Sequence, residues 1–188
     1  LHSILNNASL VVPDGAGILW AAERQGEHVP ERVTGVDVTK ELFKVAATHQ
    51  IPVYCLGAAP GVAQRAIDNV SAQVGVLNIA GIHDGFFDSA EEQEIIKSIA
   101  DSKAKLVFVA LGVPKQEQWI AEKLSHLDGV VAIGIGGSFD VLAGNIPRAP
   151  EWMQQNRLEW LYRLYLEPQR IGRMLAIPKF MWTVIRNK

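Results

Sequence analysis

Four nearly continuous apolar runs, rich in β-branched residues, constrain the fold of this chain more than any other feature. They are Pro52–Leu56, Val76–Ala80, Lys105–Leu111 and Val130–Ile135. An alternating pattern would predict strands with one solvated face, whereas a continuous apolar run is typical of a strand covered on both faces. A shorter run, Leu10–Val12, ends at a Pro-Asp-Gly turn sequence and predicts one more strand.

Helical patterns separate these runs. Gly61–Val74 follows a proline, Ser89–Ser102 opens with a serine cap and an acidic first turn, and Pro114–Leu124 has proline at its first position. Alternating strands and helices with short connections predict right-handed βαβ units. The expected fold class is therefore α/β, with a Rossmann-like, doubly wound parallel sheet flanked by helices.

Glycines cluster where the predicted strands end. Ligands of open parallel sheets bind beyond the carboxyl ends of the strands, and glycine lets the backbone approach a ligand closely. The N-terminus of a following helix attracts phosphate. We therefore expect a ligand crevice at this edge, and the glycines concerned are Gly15, Gly17, Gly57, Gly81, Gly112, Gly134, Gly136 and Gly137.

Four polar side chains near these turns are candidate site residues. Asp14 has two interpretations: a cap for a helix beginning near Gly17, or a general base that reaches an acceptor hydroxyl. Arg32 lies in a loop and could clamp an oxyanion. Lys115 offers charge to a phosphate, and the amide of Gln116 suits the edge of a uracil or a sugar hydroxyl.

Other nucleotide and metal motifs do not appear in the sequence. The turn at Gly134–Gly137 is not followed by Gly-Lys-Ser/Thr, and no Gly-x-Gly-x-x-Gly unit with a downstream acid favours a dehydrogenase. No Asp-x-Asp motif or Cys/His cluster predicts a metal, and no cofactor or nucleic-acid partner is expected. Arginines and helix N-termini would then neutralise a departing diphosphate.

Cysteine content and hydropathy bear on the compartment. Cys55 is the single cysteine and lies in an apolar run, which predicts a buried structural thiol in a reducing cytoplasm. No stretch of about 18 uncharged apolar residues predicts a membrane span, and no secretory signal is recognised. Because the sequence begins at Leu1, we expect that its true N-terminus lies upstream.

The last part of the chain has a different composition. Arg157–Lys188 contains seven basic and two acidic residues, although the whole chain has a net charge of −2. Six of the 14 aromatic residues follow Ala149, and Pro168 and Pro178 are expected to break the segment into short helices. Two interpretations stay open: an interfacial membrane segment, or helices that pack on the core with solvated arginines. We expect an α/β core over 1–156 and an amphipathic appendage over 157–188.

Six ordered segments together resemble the WecG/TagA/CpsF family of glycosyltransferases. Each is weak alone, but the ordered set spans nearly the whole chain. The segments are Pro13-Asp14-Gly15-Ala16-Gly17, Glu31-Arg32-Val33-Thr34-Gly35-Val36-Asp37, Leu56-Gly57-Ala58-Ala59-Pro60-Gly61-Val62-Ala63, Gly112-Val113-Pro114-Lys115-Gln116-Glu117, Gly136-Gly137-Ser138-Phe139-Asp140, and Arg148-Ala149-Pro150 through Leu158-Glu159-Trp160-Leu161-Tyr162-Arg163-Leu164 to Glu167-Pro168-Gln169-Arg170.

The resemblance implies a specific reaction, and it is greatest to the branch that acts in wall teichoic acid synthesis. That reaction is an inverting, metal-independent transfer of N-acetylmannosamine from UDP to the 4-hydroxyl of undecaprenyl-diphosphate-linked N-acetylglucosamine. By resemblance Asp14 is the base, and Arg32 and Gln116 lie around the donor. The C-terminal arginines that match the family, which would bind the diphosphate at the membrane, are Arg163, Arg170 and Arg173. Gly57, Gly112, Lys115, Gly136 and Gly137 complete the predicted substrate-binding set.

Several alternatives and expectations accompany this resemblance. The same fold could use UDP-N-acetylmannosaminuronate or UDP-glucose, for enterobacterial antigen or capsule, or could be a non-catalytic module that binds nucleotide-sugars at the membrane. The implied location is the cytoplasmic face of the cell membrane, with peripheral association, and an oligomer is possible. The family has an upstream strand and helix, with a Thr-x-Asn element in the pocket, so we expect reduced activity from these 188 residues alone.

Overall fold

The computed structural model describes residues 1–30, 32–156, 158–168, 171–174 and 176–186, without the side chains of Arg173 and Met174. The chain forms two compact units, each built from separate stretches. The first unit contains Leu1–Val11 and Gly35–Ile146, and the second contains Val12–Thr34 and Pro147–Lys188. The predicted domain division into 1–156 and 157–188 stays a prediction.

Helices account for most of the regular structure. In chain order they are α1 (His2–Asn7), α2 (Ala16–Gln25), α3 (Gly35–His49), α4 (Val62–Val74), α5 (Ser89–Asp101), α6 (Lys115–Trp119), α7 (Ser138–Leu142), α8 (Glu151–Gln155), α9 (Glu159–Leu166), α10 (Ile171–Met174) and α11 (Ala176–Arg186). A π-helical turn, Ile120–Leu124, continues α6. Helices α2 and α8–α11 belong to the second unit.

A parallel sheet forms the centre of the first unit. Its four strands in the described part of the chain are β1 (Val53–Gly57), β2 (Ile79–His83), β3 (Leu106–Ala110) and β4 (Val131–Gly134), in the order β2-β1-β3-β4. All three strand pairs are parallel, which confirms the predicted α/β class. Because β2 lies on one side of β1 and β3 on the other, the strand order reverses between β1 and β3, and a doubly wound sheet binds ligands at such a point.

Both faces of the sheet are covered, as the continuous apolar runs predict. Successive side chains of a strand point to opposite faces, so Cys55 and Phe108 join one cluster with residues of α3, α4 and α7, while Tyr54 and Val107 join a second with residues of α5 and α6. In the first cluster the rings of Phe43 and Phe108 have centroids 4.6 Å apart. Full burial of one such side chain contributes about 1.5–3 kcal/mol.

Cys55 is a core residue. Its side chain is fully buried in the first of these clusters, on the central strand β1. Burial raises the pKa of the Cys55 thiol, because the thiolate would have to leave water. This confirms the expectation of a buried structural thiol, since a neutral, inaccessible sulfur is a poor nucleophile.

Two strand predictions differ from the structure. Leu10–Val12 is irregular, and its Leu10 and Val11 are exposed. An apolar tripeptide does not by itself specify a partner strand, and among the described residues no strand pairs with it. β2 begins three residues later than predicted, and Val76 is exposed. Gly81 therefore lies inside β2 rather than at its end. A Cβ there would lie 2.4 Å from the Tyr54 ring, so this glycine makes room for a core aromatic side chain.

Two helix predictions also need correction, and one helix lies outside the predictions. Asp88, not Ser89, caps α5, because its carboxylate accepts from the N–H groups of Ala90 and Glu91 while Asp88 N–H donates to the Glu91 carboxylate. Pro178 does not break α11. It lies in the first turn of that helix, where a missing N–H costs nothing. Helix α3 was not predicted, although Thr39, Phe43, Ala46 and Ala47 are buried at helical spacing.

The second unit is helical. Its last described helix, α11, contacts α2, and the Phe180 ring lies 3.8 Å from the position that a Cβ on Gly17 would occupy. Val184 of α11 and Leu19 of α2 are buried. Leu158, which precedes α9, donates its N–H to the carbonyl oxygen of Met153 in α8 at 2.7 Å. The helix that follows Asp14 is therefore packed against the C-terminal helix.

Candidate functional site

The carboxyl end of β1 has a backbone that only glycine permits. Gly57 has φ +117°, and a Cβ there would lie 2.5 Å from the carbonyl oxygen of Ala110, at the end of β3. The next residue, Ala58, donates its N–H to the same carbonyl at 3.1 Å and accepts from Gly85 N–H at 2.8 Å. Gly57 therefore brings the ends of β1 and β3 together at the point where the strand order reverses.

Helix α4 begins directly beyond this loop. Its N-cap is Gly61, and no side chain caps its first turn. The first N–H groups of a helix have no partners within the helix, and the helix dipole adds partial positive charge at that end. An uncapped helix start at the switch point of a parallel sheet suits a phosphate-bearing ligand.

Gln116 links two of the predicted loops inside the first unit. Its side chain is only 3% exposed. The Oε1 atom accepts a hydrogen bond from Gly136 N–H at 3.0 Å, and Nε2 donates to Glu117 Oε1 at 2.7 Å. A Cβ on Gly134 would lie 2.5 Å from Gln116 Nε2, so this close packing needs glycine. In this structure Gln116 holds the Gly134–Gly137 turn in place, and its predicted contact with a donor stays a prediction.

The remaining predicted residues of the first unit surround these loops. Gly112 lies between β3 and α6, the exposed Lys115 is the first residue of α6, and Gly137 is the N-cap of α7. The Lys115 ammonium nitrogen lies 5.2 Å from the centroid of the Phe87 ring, at cation–π distance. Gly57, Gly112, Lys115, Gln116, Gly136 and Gly137 all follow or face strand ends of one sheet, as the sequence predicts.

A shallow pocket on the β2 side of the first unit does not suit an anion. Its volume is about 280 Å³, and its lining includes His83 and the carboxylates of Glu91 and Glu94. Glu91 is already engaged in the cap of α5. Two carboxylates would repel a diphosphate, so we do not assign the nucleotide to this pocket.

Asp14 and Arg32 contact each other in the second unit. The Asp14 side chain is 53% exposed. Arg32 donates from Nε to the Asp14 carbonyl oxygen at 2.6 Å and from Nη2 to Asp14 Oδ1 at 3.4 Å. The N-cap of α2 is Gly15, and the structure shows no side-chain cap there, so the interpretation of Asp14 as a helix cap is wrong. Asp14 is therefore an exposed carboxylate next to the guanidinium of Arg32, which also bonds the Asp14 main chain.

Glu159 and Arg148 join Asp14 and Arg32, although nothing in the sequence predicts this. Glu159, the first residue of α9, places Oε2 at 3.0 Å from Arg32 Nη2 and Oε1 at 3.8 Å from Arg148 Nε. Its side chain is 18% exposed. We call Asp14, Arg32, Arg148 and Glu159 the acid–arginine cluster. Arg32 and Glu159 are so far apart in sequence that no local spacing could have predicted their pairing.

Of the predicted C-terminal arginines, the structure describes the side chain of Arg163. Arg163 lies in α9, one turn after Glu159, and is half-buried. Arg170 and the side chain of Arg173 lie outside the described residues. Among the residues that the structure describes, no group of three His, Cys, Asp or Glu side chains is arranged to hold a metal. Within the same residues no helix is both long and apolar enough to cross a membrane.

The fold and the loops at the strand ends first indicate a broad class of proteins. A doubly wound parallel sheet with glycine turns and an uncapped helix at its switch point is typical of α/β proteins that bind phosphorylated ligands. The sequence profile of the Glycosyl transferase WecG/TagA/CpsF family matches residues 1–188. The chain belongs to this family of glycosyltransferases, which confirms the resemblance inferred from the ordered motifs.

Three curated relatives of this chain have the same enzyme name. The chain is 37% identical over 185 residues to the N-acetylglucosaminyldiphosphoundecaprenol N-acetyl-beta-D-mannosaminyltransferase of Bacillus subtilis (strain 168), covering 98% of this chain and 72% of the relative. The enzyme of the same name from Bacillus spizizenii is 37% identical over 188 residues, covering 100% and 72%. That of Staphylococcus aureus (strain NCTC 8325 / PS 47) is 33% identical over 185 residues, covering 98% and 72%.

Proposed function

We propose that this chain transfers N-acetylmannosamine, with inversion, from UDP to the 4-hydroxyl of N-acetylglucosamine linked to undecaprenyl diphosphate. The observation that carries the proposal is Asp14, an exposed carboxylate fixed by Arg32 within a chain that matches the glycosyltransferase family from end to end. The names of the relatives support the choice of sugar and acceptor.

The reaction is a single displacement. Asp14 accepts the proton of the acceptor 4-hydroxyl as that oxygen attacks the anomeric carbon of the sugar. The bond from the anomeric carbon to the diphosphate oxygen breaks, and its electron pair leaves with UDP. A base on one side and charge relief on the leaving group are the two requirements of this step, and Asp14 supplies the first.

Cationic groups supply the charge relief. The guanidinium of Arg32 and the side chain of Arg163 are the candidates among the described residues of the second unit. Fixed donors stabilise developing negative charge because they need no reorganisation during the reaction. Metal independence is part of the proposal, and nucleotide release in the presence of a chelator tests it.

A panel of donors tests the reaction itself. With full-length protein and a lipid-linked N-acetylglucosamine analogue, we expect turnover of UDP-N-acetylmannosamine to exceed that of UDP-N-acetylglucosamine, UDP-glucose and UDP-N-acetylmannosaminuronate by about 100-fold, because a site that pairs with a substrate hydroxyl rejects analogues that lack or misplace it. Preference for the uronate would overturn the donor assignment. Absence of turnover with every donor would favour a non-catalytic binding module.

We further propose that the C-terminal helices associate with the cytoplasmic face of the membrane. In α11 Trp182 and Ile185 are 60% and 49% exposed, and Arg186 lies over the Trp182 ring at 5.1 Å. In α9 Tyr165 is 80% exposed. Exposed aromatic and aliphatic side chains beside basic ones on short helices are typical of interfacial segments.

Vesicle flotation tests this association. We expect the double variant Trp182→Ser/Ile185→Ser to lower binding to vesicles containing phosphatidylglycerol about 10-fold, because it removes buried apolar area from the interface. Val76→Ser is the matched control, since Val76 is 79% exposed but lies in the first unit. Replacing Arg163, Arg170 and Arg173 by Ala should lower binding to anionic vesicles more than to neutral ones. Unchanged flotation after deletion of residues 157–188 would contradict the proposal.

A further inference from the structure

Glu159 is a largely buried acid between two arginines, and the proposed chemistry does not use it. Its carboxylate lies 3.0 Å from Arg32 Nη2 and 3.8 Å from Arg148 Nε. The Oε2 atom makes no well-aligned hydrogen bond, so its contact with Arg32 is a charge pair. A carboxylate removed from water needs such compensation, and removing one partner from a buried pair leaves the other uncompensated.

Arg32 is held from several directions. Its Nε donates to the Asp14 carbonyl oxygen at 2.6 Å, while Nη2 contacts Asp14 Oδ1 at 3.4 Å and Glu159 Oε2 at 3.0 Å. The guanidinium is planar, so fixing Nε and Nη2 fixes the direction of its remaining N–H groups. Glu159 therefore shares in determining where Arg32 presents its free edge.

Glu159 also bears on the position of Arg163, because both residues lie in α9. As the first residue of α9, it places a negative charge at a helix N-terminus, where the dipole favours it. Arg163 follows four residues later, on the same face of the helix. The pairing of Glu159 with Arg32 and Arg148 therefore fixes the start of the helix that carries Arg163.

We propose that Glu159 is a positioning residue that orients Arg32 for the departing diphosphate and keeps the guanidinium from pairing solely with Asp14. This inference rests on the proposed function of Asp14 and Arg32. Without Glu159 the Asp14 carboxylate becomes the only acidic partner that the acid–arginine cluster offers Arg32. A carboxylate engaged by Arg32 in this way is less available to the acceptor hydroxyl, and a reoriented arginine stabilises the leaving group less well.

The test compares isosteric and conservative variants of Glu159. We expect Glu159→Gln to lower kcat about 10-fold and to change the KM for the UDP-sugar less than about threefold, because the lost interaction matters most as charge develops. Glu159→Asp keeps the charge and should restore part of kcat. Glu151→Gln is the matched control, since Glu151 is an exposed residue of α8 in the same unit, and it should leave kcat unchanged.

A double-mutant cycle separates positioning from a general structural role. If Glu159 acts through Arg32, the variant Arg32→Lys/Glu159→Gln should be no more than about twofold below the slower single variant. Multiplicative losses would overturn the inference, as would tighter UDP binding by Glu159→Gln, which would make Glu159 a competitor of the phosphate. Loss of kcat that follows loss of folded protein in thermal unfolding would also overturn it.

Different results would contradict the proposed function of Asp14 and the positioning role of Glu159. Turnover retained by Asp14→Asn would remove the proposed function, and the inference about Glu159 with it. Loss of turnover in Asp14→Asn together with normal kcat in Glu159→Gln would remove only the inference. UDP affinity, measured by calorimetry on each variant, shows in both cases whether the nucleotide site is intact.

Discussion

Replacing Asp14 by Asn is expected to lower the rate of sugar transfer about 10³-fold, the scale on which a general base contributes to catalysis. Asn has nearly the same shape, and the side chain is 53% exposed, so the substitution leaves no buried charge unpaired. The hydrogen bond from Arg32 Nε goes to the main-chain oxygen of residue 14 and survives the change. The loss should therefore appear in kcat, with UDP affinity within about twofold of normal.

The measurement is release of UDP together with formation of the lipid-linked disaccharide, followed in full-length protein. Calorimetric titration with UDP reports on the nucleotide site independently of turnover. Asp101→Asn is the matched control, because Asp101 pairs with Lys97 on the surface of α5. Turnover by Asp14→Asn close to that of this control would refute the assignment of the base.

Gly57→Ala is expected to destabilise the first unit by about 3–5 kcal/mol. Two separate costs combine: φ of +117° is unfavourable for alanine, and the new Cβ would lie 2.5 Å from the Ala110 carbonyl oxygen. The contact is with backbone of the central strand β3, which has little freedom to move. Strain at the junction of β1 and β3 should also displace the loop that precedes α4.

Urea unfolding of the two variants Gly57→Ala and Gly144→Ala separates these costs. Gly144 has φ +78° in the same unit, but a Cβ there would meet nothing within 4 Å. We expect Gly144→Ala to cost only about 1 kcal/mol, from backbone conformation alone. Equal midpoints for the two variants would show that the close approach to Ala110 does not contribute.

The sheet could be predicted from sequence because its signal is local. Strands β1 and β3 are buried on both faces, so their runs are apolar throughout and their predicted positions agree with the structure within one residue. The edge strand β2 is only partly buried. Its predicted start lies three residues before the observed one because the exposed Val76 has the same β propensity as a core residue, and because a glycine such as Gly81 is more typical of a turn than of a strand interior.

The candidate site could be predicted less completely, since its contacts join distant parts of the chain. Turn sequences and family motifs single out Asp14 and Arg32, and the structure brings their side chains into contact. Glu159 was missed because a single acid in a basic segment gives no sign of burial. Gln116 was recognised, but its 3% exposure and its bond to Gly136 depend on packing that the sequence does not display.

The discontinuity of the second unit has a consequence for biosynthesis. Residues Gly35–Ile146 contain the sheet and its connecting helices, so this part of the fold can form while the chain is still being translated. Asp14 and Arg32 leave the ribosome before Arg148 and Glu159, their partners in the acid–arginine cluster, which are made more than 100 residues later. The proposed catalytic base can therefore meet these neighbours only after the whole sheet has been translated.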